Sequence, residues 1–485
     1  MTNDARGEQL ALFSSALWPP KASENKPNLH TYWQHPEGLP PWVRESPSVL
    51  RGLNLLGPLN WRAFPERNVG RNWGQPTIPY AAVAAVELLR LNEDLRSAEK
   101  LCRYLHEHPG CIWLCGFPLH PALNSPLGFN PRASLPTPGY LTDLFRTMPN
   151  AVLQFLLADS VRLVLTELAA LNVTRPDCVS LDTKHILAWV QENNPKAYVP
   201  DRFNKAKQPA GDPDCKLGCK RRHNQVVTPT RNPVSPASIK VGEYYWGYGS
   251  GIVVTKVPQW GEFVLAELTQ PFDQADVTYF FPLMHQVEDR LGEKPRFGTF
   301  DAAFDAWYVY AYFHRENDPL GGFAAVPFSE KGGYKVTGRQ FSPDGLPQCA
   351  AGLAMPLKFA FTDRTKAILE HERGKYVCPL LFPQPTKHKC PIHHPQWKKG
   401  GCTAEMPTSL GARLRYTLDR DSDAYKRVYR QRTAVERINS QALALGIERP
   451  HLRNGPAIAN QNTLIYTLIN LRFWHRLRQR KTRSD

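Results

Sequence analysis

The sequence lacks any long apolar segment. Nowhere in its 485 residues does it reach the run of about 18 consecutive apolar residues that a membrane-spanning helix needs. The first residues also lack the positively charged and apolar parts of a secretory signal peptide. We therefore expect a protein without a membrane segment that works in the cytoplasm.

Cysteine is scarce, with 10 residues in the whole chain and no Cys-x-x-Cys pair. So few thiols do not make the disulfide framework of a small secreted domain, and in a reducing compartment they are free thiols or metal ligands. Four of them, together with His393 and His394, form a candidate structural zinc site, with scattered reduced thiols as the alternative. These four are Cys349, Cys378, Cys390 and Cys402.

Acidic residues are the minority among the charged ones. The chain has 44 Asp and Glu against 60 Lys and Arg, which gives a net charge of +16. A protein of this size with a net positive charge most often binds nucleic acid, although ribosomal proteins and proteins that bind membrane surfaces also carry positive charge.

Changes in periodicity and composition divide the chain into six regions. A helical pattern is typical of a DNA-binding arm or of a plain scaffold, and alternating apolar runs indicate strands. The predicted regions are an extended or partly disordered leader (1–75), a helical DNA-binding domain (76–172), the first part of an α/β core (173–328), an irregular Cys/His-containing insertion (329–418), the closing helices of the core (419–477) and a frayed basic tail (478–485).

Within the core, the predicted order is strand, two hairpin strands, helix and strand. This order predicts an α/β domain with one mixed sheet. Two of the predicted strands end in a carboxylate, at Asp182 and at Asp301. An acidic residue at the end of a strand can point into a cleft while the strand itself stays in the core.

A third carboxylate, Glu436, lies on a late helical segment. On a helix of about 100° per residue, Tyr429, Arg432 and Glu436 fall within roughly 60° of one another. A phenol, a guanidinium and a carboxylate on one face favour phosphate and metal chemistry, with a simple ion pair as the alternative. Two metal ions about 4 Å apart need acids from different elements, and Asp182, Asp301 and Glu436 would supply them.

The sequence resembles the insertion-sequence transposases of the DDE type. The resemblance depends on Ser180-Leu-Asp-Thr-Lys184, on Thr299-Phe-Asp-Ala-Ala-Phe-Asp305 and on Tyr429-x-x-Arg432-x-x-x-Glu436, and it extends loosely from about residue 78 to the C-terminus. It implies an RNase H-like catalytic core, which is a mixed sheet flanked by helices. The irregular insertion would interrupt this core.

The resemblance also implies roles for individual residues. Asp182, Asp301 and Glu436 would bind two Mg²⁺ or Mn²⁺ ions, while Lys184, Tyr429 and Arg432 would contact DNA. The family usually has a lysine or arginine seven residues after the glutamate. Leu443 stands there in this chain, so a neighbour such as Arg437 would have to supply that phosphate contact.

The expected function is DNA transposition. The protein would bind terminal inverted repeats in double-stranded DNA, hydrolyse the phosphodiester at each end and join the freed 3′ hydroxyl to target DNA. Because two ends must be held together, we expect a homodimer on paired ends, associated with the nucleoid. The alternatives are an RNase H-like nuclease and a transposase-derived DNA-binding protein without catalysis.

Overall fold

The structure is a computed structural model that describes residues 29–67, 77–219, 244–315, 321–329, 339–364 and 368–481. Its first described region is helical, which differs from the extended leader predicted for residues 1–75. The helices are α1 (Leu29–Gln34), α2 (Pro41–Arg44) and α3 (Pro47–Leu56). Proline stands at the first position of α2 and α3, where it needs no backbone N–H partner. Residues 1–28 and 68–75 of the predicted leader lie outside the described ranges.

The next region is helical, as its periodicity predicted. It contains α4 (Tyr80–Asn92), α5 (Ala98–Glu107), α6 (Gly110–Cys115), α7 (Pro131–Ser134), α8 (Pro138–Thr147) and α9 (Asn150–Ala170). The single helix predicted from about Tyr140 to Leu171 is two helices in the structure. Pro149 separates them, because a residue before proline avoids the helical conformation, and Met148 is extended.

A mixed sheet follows the helices. Strand β3 pairs antiparallel with β1 along one edge and with β2 and β4 along the other, and β1 continues through parallel pairs to β5 and then β6. The strands are β1 (Cys178–Leu187), β2 (Lys216–Cys219), β3 (Tyr244–Val257), β4 (Gly261–Pro271), β5 (Phe297–Thr299) and β6 (Phe323–Ala325). Helix α10 (Phe280–Leu291) connects β4 to β5, and α11 (Trp307–Phe313) connects β5 to β6.

Helices cover both faces of the sheet, so the fold is mixed α/β, as predicted. Successive strand residues point to opposite faces. In β3, Ile252 and Val254 join the core cluster that includes the C-terminal helices, whereas Val253 joins the cluster that includes α10 and α11. The N-terminal helices belong to the same cluster as Ile252, and therefore share a core with the sheet.

Two glycines in the middle of β3 make room for a tyrosine ring. A Cβ atom on Gly251 would come within 2.3 Å of the Tyr279 ring, and one on Gly249 would come within 2.6 Å of its hydroxyl. The hydroxyl of Tyr279 donates to the carbonyl oxygen of Gly249 at 3.0 Å. These glycines therefore allow one continuous strand under a close-packed ring.

The insertion between β6 and the closing helices contains a second sheet, where the sequence predicted irregular structure. Strands β7 (Leu357–Asp363), β8 (His371–Val377) and β9 (Thr403–Pro407) form an antiparallel sheet in that order. Helix α12 (Leu410–Thr417) leads back to the core. Its Arg415 forms an ion pair with the buried carboxylate of Asp305, which joins the end of the insertion to the core.

The closing segment bends where a single helix was predicted. It consists of α13 (Asp423–Tyr429), a 3₁₀ turn (Arg430–Arg432) and α14 (Thr433–Ala444). Ser422 caps α13, because its side chain accepts a hydrogen bond from the Tyr425 N–H. Gly446, with φ of 84°, follows α14 in the left-handed conformation that commonly ends a helix.

Helix α15 (Gly455–Lys481) crosses the centre of the molecule. Near its start, Asn460 and Thr463 accept hydrogen bonds from Asn150 of α9. Near its end, the guanidinium of Arg478 lies 5.0 Å from the Trp33 ring. The tail predicted to be frayed is helical through Lys481, and residues 482–485 lie outside the described ranges. No helix in those ranges is long and apolar enough to cross a membrane.

We predict that Gly251→Ala destabilises the protein, because the added methyl group would overlap the Tyr279 ring. The free energy of unfolding should fall by about 1–3 kcal/mol in urea denaturation. Gly139→Ala is the matched control, since a Cβ there meets nothing within 4 Å and the residue lies in a helix. Equal stability of the two variants would contradict the close packing on Gly251.

Candidate functional site

Two aspartates lie side by side on adjacent parallel strands, just beyond the last parallel pair. Ser180 of β1 is the register partner of Thr299 of β5, and Asp182 and Asp301 each come two residues later, so they stand at the same level and on the same face of the sheet. Asp301 follows the end of β5, as predicted, but the prediction that a strand ends at Asp182 was wrong, because pairing with β3 continues β1 to Leu187. Asp301 also caps a short 3₁₀ turn by accepting from the Ala303 N–H at 2.9 Å. The structure thus brings together the first two predicted metal ligands.

The hydroxyls that precede these aspartates hold the bent helix above them. Ser180 Oγ donates to the carbonyl oxygen of Gln431 at 3.2 Å, and Thr299 Oγ1 donates to that of Tyr429 at 3.5 Å. The 3₁₀ turn exposes these carbonyls, because it interrupts the regular helical hydrogen bonds. The repeated hydroxyl-x-Asp pattern therefore positions the turn over both aspartates.

Arg432 leaves this turn towards the carboxylates. Its positive charge lowers the pKa of Asp182 and of Asp301, and its Nη1 lies 3.0 Å from Glu436 Oε1. The Glu436 side chain is 56% exposed. Arg432 thus pairs with Glu436 while its charge acts on both aspartates.

The positive charge near the two aspartate carboxylates does not fully balance their negative charge. Burial, followed by the negative charge of Asp301, raises the pKa of Asp182 to about 6, against the lowering effects of Arg432 and of the Thr183 N–H. Burial also raises the pKa of Asp301, and the charge of Asp276 adds to it. Such shifts are typical of sites where a cation or a proton balances crowded carboxylates.

Asp276 is a carboxylate of this site that sequence reasoning missed. It opens the 3₁₀ turn before α10, accepts a hydrogen bond from Thr183 Oγ1 at 2.7 Å and raises the pKa of Asp182. Nothing in the local pattern separates it from Asp273, three residues earlier. Its position depends on the Tyr279 ring, which packs on Gly251 at the far end of the same turn.

Asn439 also belongs to the site and was missed. Its Nδ2 donates to Asp182 Oδ2 at 3.3 Å. Its Oδ1, like Arg432 Nε, is buried without a hydrogen-bond partner in this structure. The signal in the sequence was its spacing, since a residue three positions after Glu436 lies on the same helical face.

The predicted DNA-contacting residues have protein partners in this structure. Lys184 forms an ion pair with Glu448 at 3.0 Å. Arg437 makes two hydrogen bonds of 3.0 Å with Glu262 of β4, which explains its orientation away from the aspartates. The Tyr429 ring stacks on Tyr425 with centroids 5.8 Å apart.

Leu443, at the position where a cation was expected, is 49% exposed. It lines a cleft of about 540 Å³ between α4 and the segment that follows α14. Arg90, Arg96 and Arg449 line the same cleft together with Asp94 and Glu448, so side chains of both charges surround the apolar Leu443.

Three of the four cysteines of the predicted zinc site are neighbours. Burial and the adjacent thiols of Cys378 and Cys349, both hydrogen-bonded to Cys402, raise the pKa of Cys402 to about 12. Gly401 permits this approach, because a Cβ there would lie 2.6 Å from that of Cys378. In the described part of the chain, no hydrogen bond joins Cys390 to these three.

The two aspartates fit a divalent metal ion by their chemistry. Carboxylate oxygens are the ligands that Mg²⁺ prefers, and a cation would relieve the repulsion that raises both pKa values. Across the described ranges, however, no group of three or more His, Cys, Asp or Glu side chains is arranged to hold a metal ion. Glu436 would have to leave Arg432 to complete such a group.

We predict that Asp182→Asn stabilises the metal-free protein at neutral pH. A carboxyl whose pKa is raised on folding contributes stability at low pH, and loses it as pH rises through the folded value of about 6. The variant should therefore gain roughly 1–3 kcal/mol above pH 7 and little near pH 4. Thermal unfolding in a chelator measures this.

Asp273→Asn is the control, because Asp273 lies on the exposed turn beside Gln274. It should leave the pH profile of the wild type unchanged. A loss of stability in Asp182→Asn at pH 7.5 would contradict the crowding of the carboxylates.

Comparison with known proteins assigns no family to this chain. No family model and no curated protein matches it.

Proposed function

We propose that the protein is a DDE transposase that hydrolyses phosphodiesters at transposon ends and transfers the strands to target DNA. The observation that supports this most is the pair of aspartates on adjacent parallel strands beneath a bent helix that carries Arg432 and Glu436. Phosphoryl transfer needs acids from different elements that converge on one phosphate, together with a cation to balance its charge.

The sheet supports an RNase H-like core as part of this proposal. An antiparallel unit of β4, β3 and β1 is extended by the parallel strands β5 and β6, and helices α10 and α11 make the connections. Ligands of open α/β sheets bind outside the carboxyl ends of the strands. Asp301 lies in that region, two residues beyond β5, and Asp182 stands level with it inside β1.

The residues of the chain would share the work in the following way. Asp182 and Asp301 would hold Mg²⁺ or Mn²⁺, with Glu436 as the third ligand, and Asn439 would orient Asp182 through its amide. Bound ions of this kind would activate the attacking water or 3′ hydroxyl and stabilise the leaving oxygen. Arg432 would release Glu436 and pair with a DNA phosphate instead, so that Glu436 becomes free to bind a metal ion.

DNA would approach across the basic side of this site. Arg430 is exposed on the bend, and Lys426 and Arg427 are exposed on α13, so phosphate contacts need not come from position 443 or from Arg437. Because transposition joins two ends, we propose that a homodimer holds double-stranded DNA with two terminal inverted repeats.

One observation favours a second candidate, a transposase-derived DNA-binding protein without catalysis. Glu436 is held by Arg432 and is largely exposed, rather than facing the aspartates. If that ion pair persists on DNA, the basic surface would bind without cutting.

We predict that Glu436→Gln abolishes Mg²⁺-dependent cleavage while DNA binding persists. The loss should be roughly 100-fold or more, because a metal ligand acts directly on the transition state. The assay uses a plasmid that carries the DNA flanking the coding sequence, and separates nicked from strand-transferred products on a gel. A nuclease without strand transfer would yield only the nicked products.

Asp273→Asn is the matched control, since it removes an exposed carboxylate from the same connection, where its contact is with Gln274. Its activity should match that of the wild type. Normal cleavage by Glu436→Gln would rule out the proposed ligand, and no cleavage by the wild type under any divalent ion would favour the binding-only candidate.

We also propose that Cys349, Cys378 and Cys402 bind a structural zinc ion, with Cys390 or a nearby histidine as the fourth ligand. Elemental analysis of the purified protein should then find about one zinc per chain. Cys402→Ser should lose it and melt at a lower temperature, whereas Cys219→Ser, at an exposed thiol, should keep it. A zinc-free wild type with all thiols titratable would exclude the site.

A further inference from the structure

The chain after α14 presents a row of cationic side chains. From Arg449 to Arg453, exposed and covered residues alternate, so that Arg449, His451 and Arg453 face outward while Pro450 and Leu452 face the protein. The segment is irregular, with bends at Arg449 and His451, and its outer side carries the three exposed residues. These residues are close neighbours in the chain, so they make up one local row.

An aromatic ring lies beside this row. The Trp189 side chain is 51% exposed, although tryptophan is highly buried on average. Its ring centroid lies 5.4 Å from that of His451, and the Arg453 guanidinium lies 5.0 Å from the ring. Arg453 Nε also donates to the carbonyl oxygen of Trp189 at 3.2 Å, which fixes the tryptophan backbone to the row. We call Trp189, Arg449, His451 and Arg453 the Trp189 platform.

The platform is continuous with the aspartate site. The Leu187 N–H donates to the carbonyl oxygen of Glu448 at 2.9 Å, so the row adds to the end of β1. Trp189 lies seven residues after Asp182, which places it at most about 24 Å away along the chain. At about 3.4 Å per stacked nucleotide, that distance corresponds to roughly seven nucleotides.

The charge around the platform favours an anionic partner. The nearest acidic residue on the row, Glu448, is already paired with Lys184. Arg449 makes no hydrogen bond or ion pair within the described ranges, and it also lines the cleft beside Leu443. An apolar protein surface would leave this guanidinium desolvated without a partner, at a cost that a phosphate would avoid.

We propose that the Trp189 platform binds unpaired nucleotides of the DNA strand that leaves the aspartate site. A base stacks on the exposed part of Trp189 and His451, while Arg449 and Arg453 contact its phosphates. Rings interleaved with cations along one edge are the chemistry that single-stranded nucleic acid recognises. The inference rests on the proposed function in so far as DNA is the substrate.

The test compares two labelled DNA probes by fluorescence anisotropy in a chelator. One is a blunt duplex, and the other carries seven unpaired nucleotides at one end, on the 3′ or the 5′ strand. Trp189→Ala should weaken binding of the extended probe about tenfold or more, and of the blunt duplex less than twofold. Trp189→Phe should restore most of the affinity, because it keeps a stacking ring.

Further variants separate the parts of the platform. Arg449→Gln and Arg453→Gln should each reduce the salt dependence of binding to the extended probe by about 0.7 in the slope of log K against log salt. Tyr198→Ala is the matched control, since Tyr198 is an exposed aromatic residue outside the platform, and it should change neither probe. Thermal melting of each variant confirms that it is folded.

The outcomes distinguish this inference from the proposed function. If folded Trp189→Ala binds both probes as the wild type does, or loses both equally, the platform is overturned whatever the cleavage assay shows. If the extended probe alone loses affinity while Glu436→Gln cuts normally, the platform stands and the catalytic proposal fails.

Discussion

The parallel pairing of β1 with β5 is the constraint on which the candidate site depends. It sets Ser180 opposite Thr299, and thereby sets Asp182 and Asp301 at the same level two residues later. It also aligns two hydroxyls under the bent helix, so that the same register positions both the carboxylates and the turn that carries Arg432. A shift of one residue in either strand would turn its aspartate to the opposite face of the sheet.

The positions of the two aspartates are electrostatically unfavourable. Burial raises the pKa values of Asp182 and Asp301, the charge of Asp301 adds to the rise at Asp182 and that of Asp276 to the rise at Asp301, and Arg432 only partly balances them. Stability alone would not require two carboxylates in adjacent positions, so the cost is best explained by a ligand that carries positive charge. Asn439 Oδ1, beside Asp182, is also buried without a hydrogen-bond partner in this structure. It is a second sign that the polar groups of this site lack a binding partner.

The remaining elements hold the site together across large separations in sequence. Helix α15 packs against the N-terminal helices and the sheet, and its Asn460 donates to the backbone carbonyls of Phe145 in α8 and of Met148 just after it. The ion pair of Asp305 with Arg415 joins the two chain segments that flank the insertion. Because this ion pair holds the two segments together, the second sheet can be inserted between them without disturbing the core strands.

The sequence by itself determined the α/β class, the hairpin of β3 and β4 and the strand that ends before Asp301, since these follow from local periodicity and from residues adjacent in the chain. It placed the end of a strand at Asp182, whereas pairing with β3 continues β1 to Leu187. The local pattern did not predict the helices from Leu29 to Leu56, the insertion sheet or the break at Arg430–Arg432, because packing and hydrogen bonds from distant residues stabilise them. Only the tertiary structure brought Asp276 and Asn439 near the aspartates, and His451 and Arg453 to the Trp189 ring. It also directed Arg437 to Glu262, because partners more than a hundred residues away leave no signal in local spacing.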